Sequence, residues 1–228
     1  IYEICLNNAF AIIPISNFLK KIVTEKFPDK KIKVIHIDAR VPEEWNARKN
    51  MKLKHPCVGL VQGAGIWGKT KELLLLKEIL PKLPNVTFYW AGDGIYKDKI
   101  LPSLENFENF RWLGNLDYPE KVQEFLTEID VYALFSGIDG LGQSVIEASF
   151  MEKPVVVSKS GGIPETVEDG KTGYLVEPGD TQGWIDKLST VLSNSEISKN
   201  LGANGREFVS RKFNWNVVSE EIIKIMRE

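Results

Sequence analysis

The stretch Ser136-Gly137-Ile138-Asp139-Gly140-Leu141-Gly142-Gln143-Ser144-Val145-Ile146-Glu147 decides how the rest of the chain is read. It follows the apolar run Val131-Tyr132-Ala133-Leu134-Phe135 and leads into a helical pattern over 143–152. An unbroken apolar run reads as a strand covered on both faces, as in parallel sheets. Strand, glycine-rich loop and helix together leave unpaired N–H groups at the helix start. Those groups and the helix dipole favour an anion such as a diphosphate. Asp139 lies in the loop and Glu147 just over one turn into the helix. Carboxylates are poor phosphate ligands but good acceptors for sugar or ribose hydroxyls. Taken singly, they read as a capping Asp and a solvated Glu. Together they point to a ligand that carries both phosphate and hydroxyls.

The same alternation runs outward in both directions. Strands are expected over 58–62, 86–91, 110–113, 131–136 and 154–158. Helices are expected over 71–82, 96–104, 119–128, 143–152 and 181–193, the last capped by Asp180, with two more helical stretches closing the chain. Repeated β-α-β units with right-handed crossovers predict an α/β fold, a doubly wound, Rossmann-like parallel sheet. Ligands in such sheets bind beyond the carboxyl ends of the strands. The loops there are Gly63-Ala64-Gly65, Gly92-Asp93-Gly94, the quoted stretch, and Gly161-Gly162-Ile163-Pro164-Glu165; Asp169-Gly170-Lys171-Thr172-Gly173 reads as a hairpin turn. Gly68 falls one place off the spacing of a dinucleotide fingerprint, so that signal is weak. Lys69 and Lys71, at the next helix start, are candidates for phosphate contact.

The first forty residues hold one further β-α-β unit: a strand over 10–15, a helix over 17–27 and a strand over 32–37. One unit cannot bury both faces of its sheet. We therefore expect 1–40 to be the tail of a preceding, mostly absent domain, 41–54 a linker, and 55–228 the ligand-binding domain, with the last helix packing back on the N-terminal part.

Lys and Arg number 29 against 31 Asp and Glu, a formal net charge of −2. A protein that grips nucleic acid by its phosphates would show a basic excess, so no nucleic-acid partner is expected. The two cysteines, Cys5 and Cys57, show no Cys/His clustering, which argues against a zinc site or a disulfide framework and fits a cytoplasmic location. His36 and His55 read as structural. No apolar run reaches the ~18 residues of a spanning helix.

At this point the motifs resemble the donor half of glycosyltransferase family 4. They are Asp139-Gly140-Leu141-Gly142 with Glu147, Lys153-Pro154-Val155-Val156, Gly161-Gly162-Ile163-Pro164-Glu165, Gly173-Tyr174-Leu175-Val176, Pro178-Gly179-Asp180, 202–206 and Phe213-Asn214-Trp215. The resemblance implies the C-terminal half of a two-Rossmann-domain (GT-B) architecture. It implies a retaining transferase with a nucleotide-sugar donor as substrate, no cofactor, no metal, and an unknown sugar, lipid or protein acceptor held by the N-terminal domain. Peripheral attachment to a membrane stays open.

The family's paired acids, seven residues apart, match Asp139 and Glu147. By resemblance Glu147 binds the ribose. Asp139 and the amides of Gly140, Leu141 and Gly142 position the sugar. Amides of Gln143, Ser144 and Val145 hold the diphosphate. Gly63, Lys69, Gly92 and Gly94 complete the donor site. The chain departs from the pattern twice: Asp replaces the first Glu, and Gly63 stands where the family places an Arg, leaving Lys69 and Lys71 to substitute. A non-catalytic nucleotide-sugar-binding module and a sugar-nucleotide epimerase are the alternatives.

Overall fold

Each apolar run forms a strand because both of its faces find cover. The computed structural model describes residues 2–37 and 50–227. It begins with α1 (Tyr2–Asn8), β1 (Ala11–Ile12), α2 (Asn17–Lys26) and β2 (Lys31–Ile32). The larger unit starts with β3 (Cys57–Val61), α3 (Trp67–Thr70), α4 (Leu76–Ile79) and β4 (Thr87–Ala91). It continues with β5 (Phe110–Gly114), α5 (Glu120–Glu128), β6 (Val131–Leu134), α6 (Gln143–Phe150), β7 (Val155–Ser158) and β8 (Tyr174–Val176). The chain closes with α7 (Thr181–Ser193), α8 (Ser195–Lys212) and α9 (Trp215–Met226).

Strands β3 to β8 form one six-stranded sheet in the order β5-β4-β3-β6-β7-β8, and every pair is parallel. Alternate residues point to opposite faces. Val58, Leu60, Phe88, Trp90, Val131 and Ala133 join the core under α4 and α7, where Phe135 stacks on Trp184 at 3.7 Å. Cys57, Tyr89, Tyr132, Leu134, Val155 and Val157 join the core under α5 and α6. The chain runs from β3 outward to β5 and then returns to β6 on the other side. The crevice between β3 and β6 is therefore the switch point where such sheets bind ligands.

Several elements differ from expectation. The helix expected over 71–82 begins at Trp67 and alternates α-helical with 3-10 turns, Lys71–Leu75 and Leu80–Lys82. Gly68 and Pro81 weaken its two ends. The helix expected over 96–104 is two 3-10 turns, with Pro102 interrupting. The loop 169–173 turns, but it leads into β8, which lies parallel to β7, so no hairpin forms. Asp180 caps α7 as read, its Oδ1 accepting Gly183 N–H at 2.9 Å.

The N-terminal unit is β-α-β with parallel strands two residues long. Helix α9 packs on it through Ile35, Val218 and Ile225, and Lys33 pairs with Glu221 at 2.8 Å. Residues 41–49 of the linker expected over 41–54 lie outside the described residues. No helix among the described residues is long and apolar enough to cross a membrane.

Candidate functional site

A cleft of about 280 Å³ opens at the carboxyl ends of β3 and β6. Gly63, Lys69, Asp139, Gln143, Ser144 and Glu147 line it, together with Gln62 and Tyr118, which the sequence reading did not single out. Gln62 fastens the two sides: its Nε2 donates to Phe135 O at 2.7 Å and lies 3.3 Å from Lys69 O.

Asp139 is held from three directions. Its Oδ1 accepts Leu141 N–H at 3.2 Å and Gly142 N–H at 3.0 Å. Its Oδ2 pairs with Lys69 Nζ at 2.5 Å across the cleft. Its backbone O accepts Gly162 N–H at 2.8 Å. The amides of Leu141 and Gly142 thus serve the Asp139 carboxylate.

Gly142, at φ +90°, starts α6 and carries no side chain to close its first turn, in which Gln143 and Ser144 face the cleft. Glu147 lies one turn deeper and is only 6% exposed. Tyr118 Oη, on the rim, lies 3.5 Å from Glu147 Oε1. The Tyr132 hydroxyl beneath lies 2.6 Å from Ser144 Oγ. Burial pushes that phenol's pKa up, so it stays neutral.

The other expected donor residues lie behind these. Leu141 and Val145 are core residues. Gly140 lies against Leu19 of α2. Gly92 and Gly94 do not line the cleft; they let the loop after β4 lie against the backbone of Gln62 and Ala64. Lys71 lines a separate hollow beside Trp67 and Glu72, leaving Lys69 as the lysine lining the cleft. Tyr118 was legible in principle, because every loop that follows a strand of a parallel sheet reaches this edge.

The fold also corrects the reading that cysteine and histidine do not cluster. His55, Cys57 and Asp130 bring one potential metal ligand each to within 4.8 Å of one another. They sit at the amino ends of β3 and β6, the edge opposite the cleft, so they cannot serve a diphosphate there. Asp130 Oδ2 accepts Cys57 N–H at 2.7 Å and lies 2.8 Å from His55 Nδ1. Burial pushes the Cys57 thiol up to about 12, and the thiol does not line the hollow that His55 and Asp130 border. The arrangement works as a cap on the strand start.

A six-stranded parallel sheet in this order, with helices on both faces and a cleft at its switch point, is a doubly wound, Rossmann-like domain. The sequence profile described as glycosyl transferases group 1 matches residues 62–208, and the chain belongs to that family. It is 34% identical over 166 residues to sulfoquinovosyl transferase SQD2 of Arabidopsis thaliana, covering 72% of this chain and 32% of that protein. It is 30% identical over 178 residues to the uncharacterized glycosyltransferase MJ1178 of Methanocaldococcus jannaschii, covering 75% of this chain and 48% of that one. The chain thus spans half or less of the length of these two relatives. The crystal structure of Anabaena HepE in complex with UDP and glucose superposes with a TM-score of 0.80 at 20% identity, covering 99% of this chain and 65% of that one.

Proposed function

We propose that this chain supplies the donor-binding half of a retaining glycosyltransferase, which moves a sugar from a nucleotide-diphosphate-sugar to an acceptor held by an N-terminal domain. One observation carries the reading: a buried carboxylate, an ion-paired acid and lysine, and an uncapped helix start surround one cleft at the switch point. Glu147 takes the ribose hydroxyls, with Tyr118 above it on the rim. The Gln143 and Ser144 amides at the start of α6 and Lys69 take the diphosphate, while the Val145 N–H donates to Gly142 O at 3.0 Å, and Asp139 orients the sugar. HepE was crystallised with UDP and glucose, which supports a uridine nucleotide as the first probe.

As the glycosidic bond breaks, negative charge grows on the leaving diphosphate. Fixed amide dipoles and a cation aimed at that charge stabilise it without reorganisation. Asp139 has both oxygens engaged, by two amides and by Lys69, so it serves as a positioning group and not as a nucleophile. In this reading the leaving phosphate draws the acceptor's proton on the face it departs from, which retains configuration. The diphosphate's charge is assigned to Lys69 and the amides, with no metal required.

Calorimetric titration with UDP, GDP, ADP and their sugar conjugates, first without metal and then with magnesium, tests the reading. One nucleotide is expected to bind without metal. Glu147→Ala should weaken it by about 1–3 kcal/mol, the scale of a lost hydrogen bond to a charged group. Unchanged affinity would remove Glu147 from the ribose site. The chain by itself should bind weakly and transfer nothing, since transfer requires closure over an acceptor. The open backbone at Gly63 favours one second reading, a module that binds nucleotide sugar without transferring it. Sugar transfer by the longer protein would sink that alternative.

A further inference from the structure

We propose that Glu165 is a positioning residue that couples the seating of the N-terminal β1-α2-β2 unit to the geometry of the Asp139 loop. The proposal rests on the donor-site reading above.

Glu165 belongs to the larger unit, in the 3-10 turn Ile163–Glu165 that follows β7. Its carboxylate reaches out of that unit and is filled by the N-terminal one. Oε2 accepts Asn17 N–H at 3.0 Å and Asn17 Nδ2–H at 2.8 Å, and lies 3.1 Å from His36 Nε2. Oε1 accepts Phe18 N–H at 3.1 Å, from a residue 147 positions away in the chain. Asn17 and Phe18 are the first two residues of α2, whose N-terminal amides have no partner inside the helix. The capping residue Ser16 satisfies Leu19 N–H through its own Oγ at 3.1 Å. The two amides it cannot serve are the two that Glu165 takes. A helix start is also where a carboxylate is favoured by the dipole. Burial alone would raise the Glu165 pKa, but the donated bonds from Asn17, Phe18 and His36 outweigh it and hold the carboxyl below its ordinary range. The carboxylate is therefore charged at neutral pH, and α2 loses this anchor if it is removed.

The same turn is tied to the cleft. Glu165 N–H donates to Gly162 O at 3.0 Å, and Gly162 N–H donates to Asp139 O at 2.8 Å. Gly161 and Gly162 lie so close to Asp139 and Gly140 that a Cβ on either would come within 2.1 Å of a backbone oxygen. Movement of the turn must therefore move the Asp139 loop. From the other side, Leu19 of α2 lies against Gly140. A short, continuous run of hydrogen bonds and packed backbone thus joins the start of α2 to the acid that pairs with Lys69. Such a contiguous run is the physical means by which the seating of one unit biases a site in another.

The test compares wild-type chain with Glu165→Ala and the milder Glu165→Gln, which keeps the shape but loses the charge and one acceptor oxygen. Asp180→Ala, which removes the cap of α7 away from the cleft, is the control for simple cap loss. Amide hydrogen exchange is followed at Asn17 and Phe18 and, separately, at Leu141, Gly142 and Gly162. Affinity for UDP, or whichever nucleoside diphosphate the wild type binds, is measured alongside. Coupling predicts faster exchange in both groups, by about tenfold for Glu165→Ala. It also predicts a loss of nucleotide affinity of roughly 3- to 10-fold. Glu165→Gln should fall between, and Asp180→Ala should change neither. Faster exchange confined to Asn17 and Phe18, with the loop amides unchanged, would make Glu165 a helix cap and overturn the proposal. If Glu165→Ala does not fold, Glu165→Gln decides on the same criterion. If the wild type binds no nucleotide, the donor reading fails, while the exchange of the loop amides still decides the coupling.

Discussion

The two loops that face each other across the cleft are built in opposite ways. The loop after β6 is saturated. Ser136 N–H donates to Ser158 Oγ at 3.0 Å, and Ser136 Oγ donates to Ile138 O at 3.0 Å. Asp139 collects two amides and Lys69, and the loop after β7 is pressed against its backbone. The loop after β3 is tied down on one side only, where Ala64 N–H donates to Asp93 O at 2.8 Å and Ala64 O accepts Tyr96 N–H at 3.0 Å, and its glycines have few neighbours. Gly63 is exposed, a Cβ there would meet only Asp93 O at 3.8 Å, and a Cβ at Gly65 would meet nothing within 4 Å. The difference teaches where this cleft keeps its geometry and where it keeps its charge. Position is stored on the acidic side, in backbone that cannot shift alone. Neutralisation falls to one lysine on the side with room to spare.

The largest effect should come from adding a methyl on each side, at the turn after β7 that is pressed on the Asp139 loop and at the loop after β3. Gly161 has φ +57°, a left-handed conformation that favours glycine, and its Cβ would strike Asp139 O at 2.1 Å. Gly161→Ala should cost roughly 2–4 kcal/mol, left-handed strain and overpacking together. Gly63→Ala should stay within about 0.5 kcal/mol. Urea melts of the two variants check this. Equal costs would break the contrast between the loops.

The strands and the saturated loop were legible in the sequence, and the link between the loops was not. Val155-Val156-Val157 and the run over 131–135 could bury both faces only inside a covered parallel sheet, and they do. Asp180 sat one place before an amphipathic run and caps it. These are local signals, carried by residues adjacent in the chain. Lys69 lies in α3, which follows β3, and Asp139 in the loop after β6, and they meet because these strands pair out of chain order. Gln62 was passed over because nothing nearby in sequence marks it as a clamp. Glu165 was read as the end of a glycine-rich loop; its partners lie in α2, beyond the reach of periodicity. The clustering of His55 with Cys57 was missed for the same reason, since Asp130, just before β6, completes it. The helix over 71–82 was misjudged locally. Leu73-Leu74-Leu75-Leu76 is apolar on every side and gives no clear period to fix a start.

A smaller effect tests whether the ion pair across the cleft competes with the ligand. In Asp139→Asn the amide oxygen can still accept Leu141 and Gly142 N–H, so the loop should hold its shape. Lys69 loses its anionic partner and becomes available to phosphate. Affinity for the nucleoside diphosphate should rise about 3- to 5-fold, the upper part of the range for a partly exposed ion pair. The nucleotide sugar should gain less, because the group that orients the sugar is altered. Titrations with UDP and with its sugar conjugate give both numbers. A fall in diphosphate affinity would show that Asp139 supports the anion site and does not compete with it.

The smallest effect comes from filling the sparse side. Gly63 lines the cleft, its φ lies outside the left-handed region, and its Cβ direction is open. Gly63→Arg should therefore fold with little change in stability. A guanidinium there would offer a planar fork to the diphosphate, which Lys69 as a point charge does not. Exposure to solvent limits the gain to about 1 kcal/mol or less, roughly 2- to 5-fold in affinity. Salt separates this gain from a packing effect: the added affinity should shrink as ionic strength rises past the point where the Debye length is about 10 Å. A gain that persists in high salt would mean the arginine stem packs on the nucleotide. No gain at low salt would mean that Lys69 and the α6 amides already neutralise the diphosphate, and the sparse loop would then be sufficient as it stands.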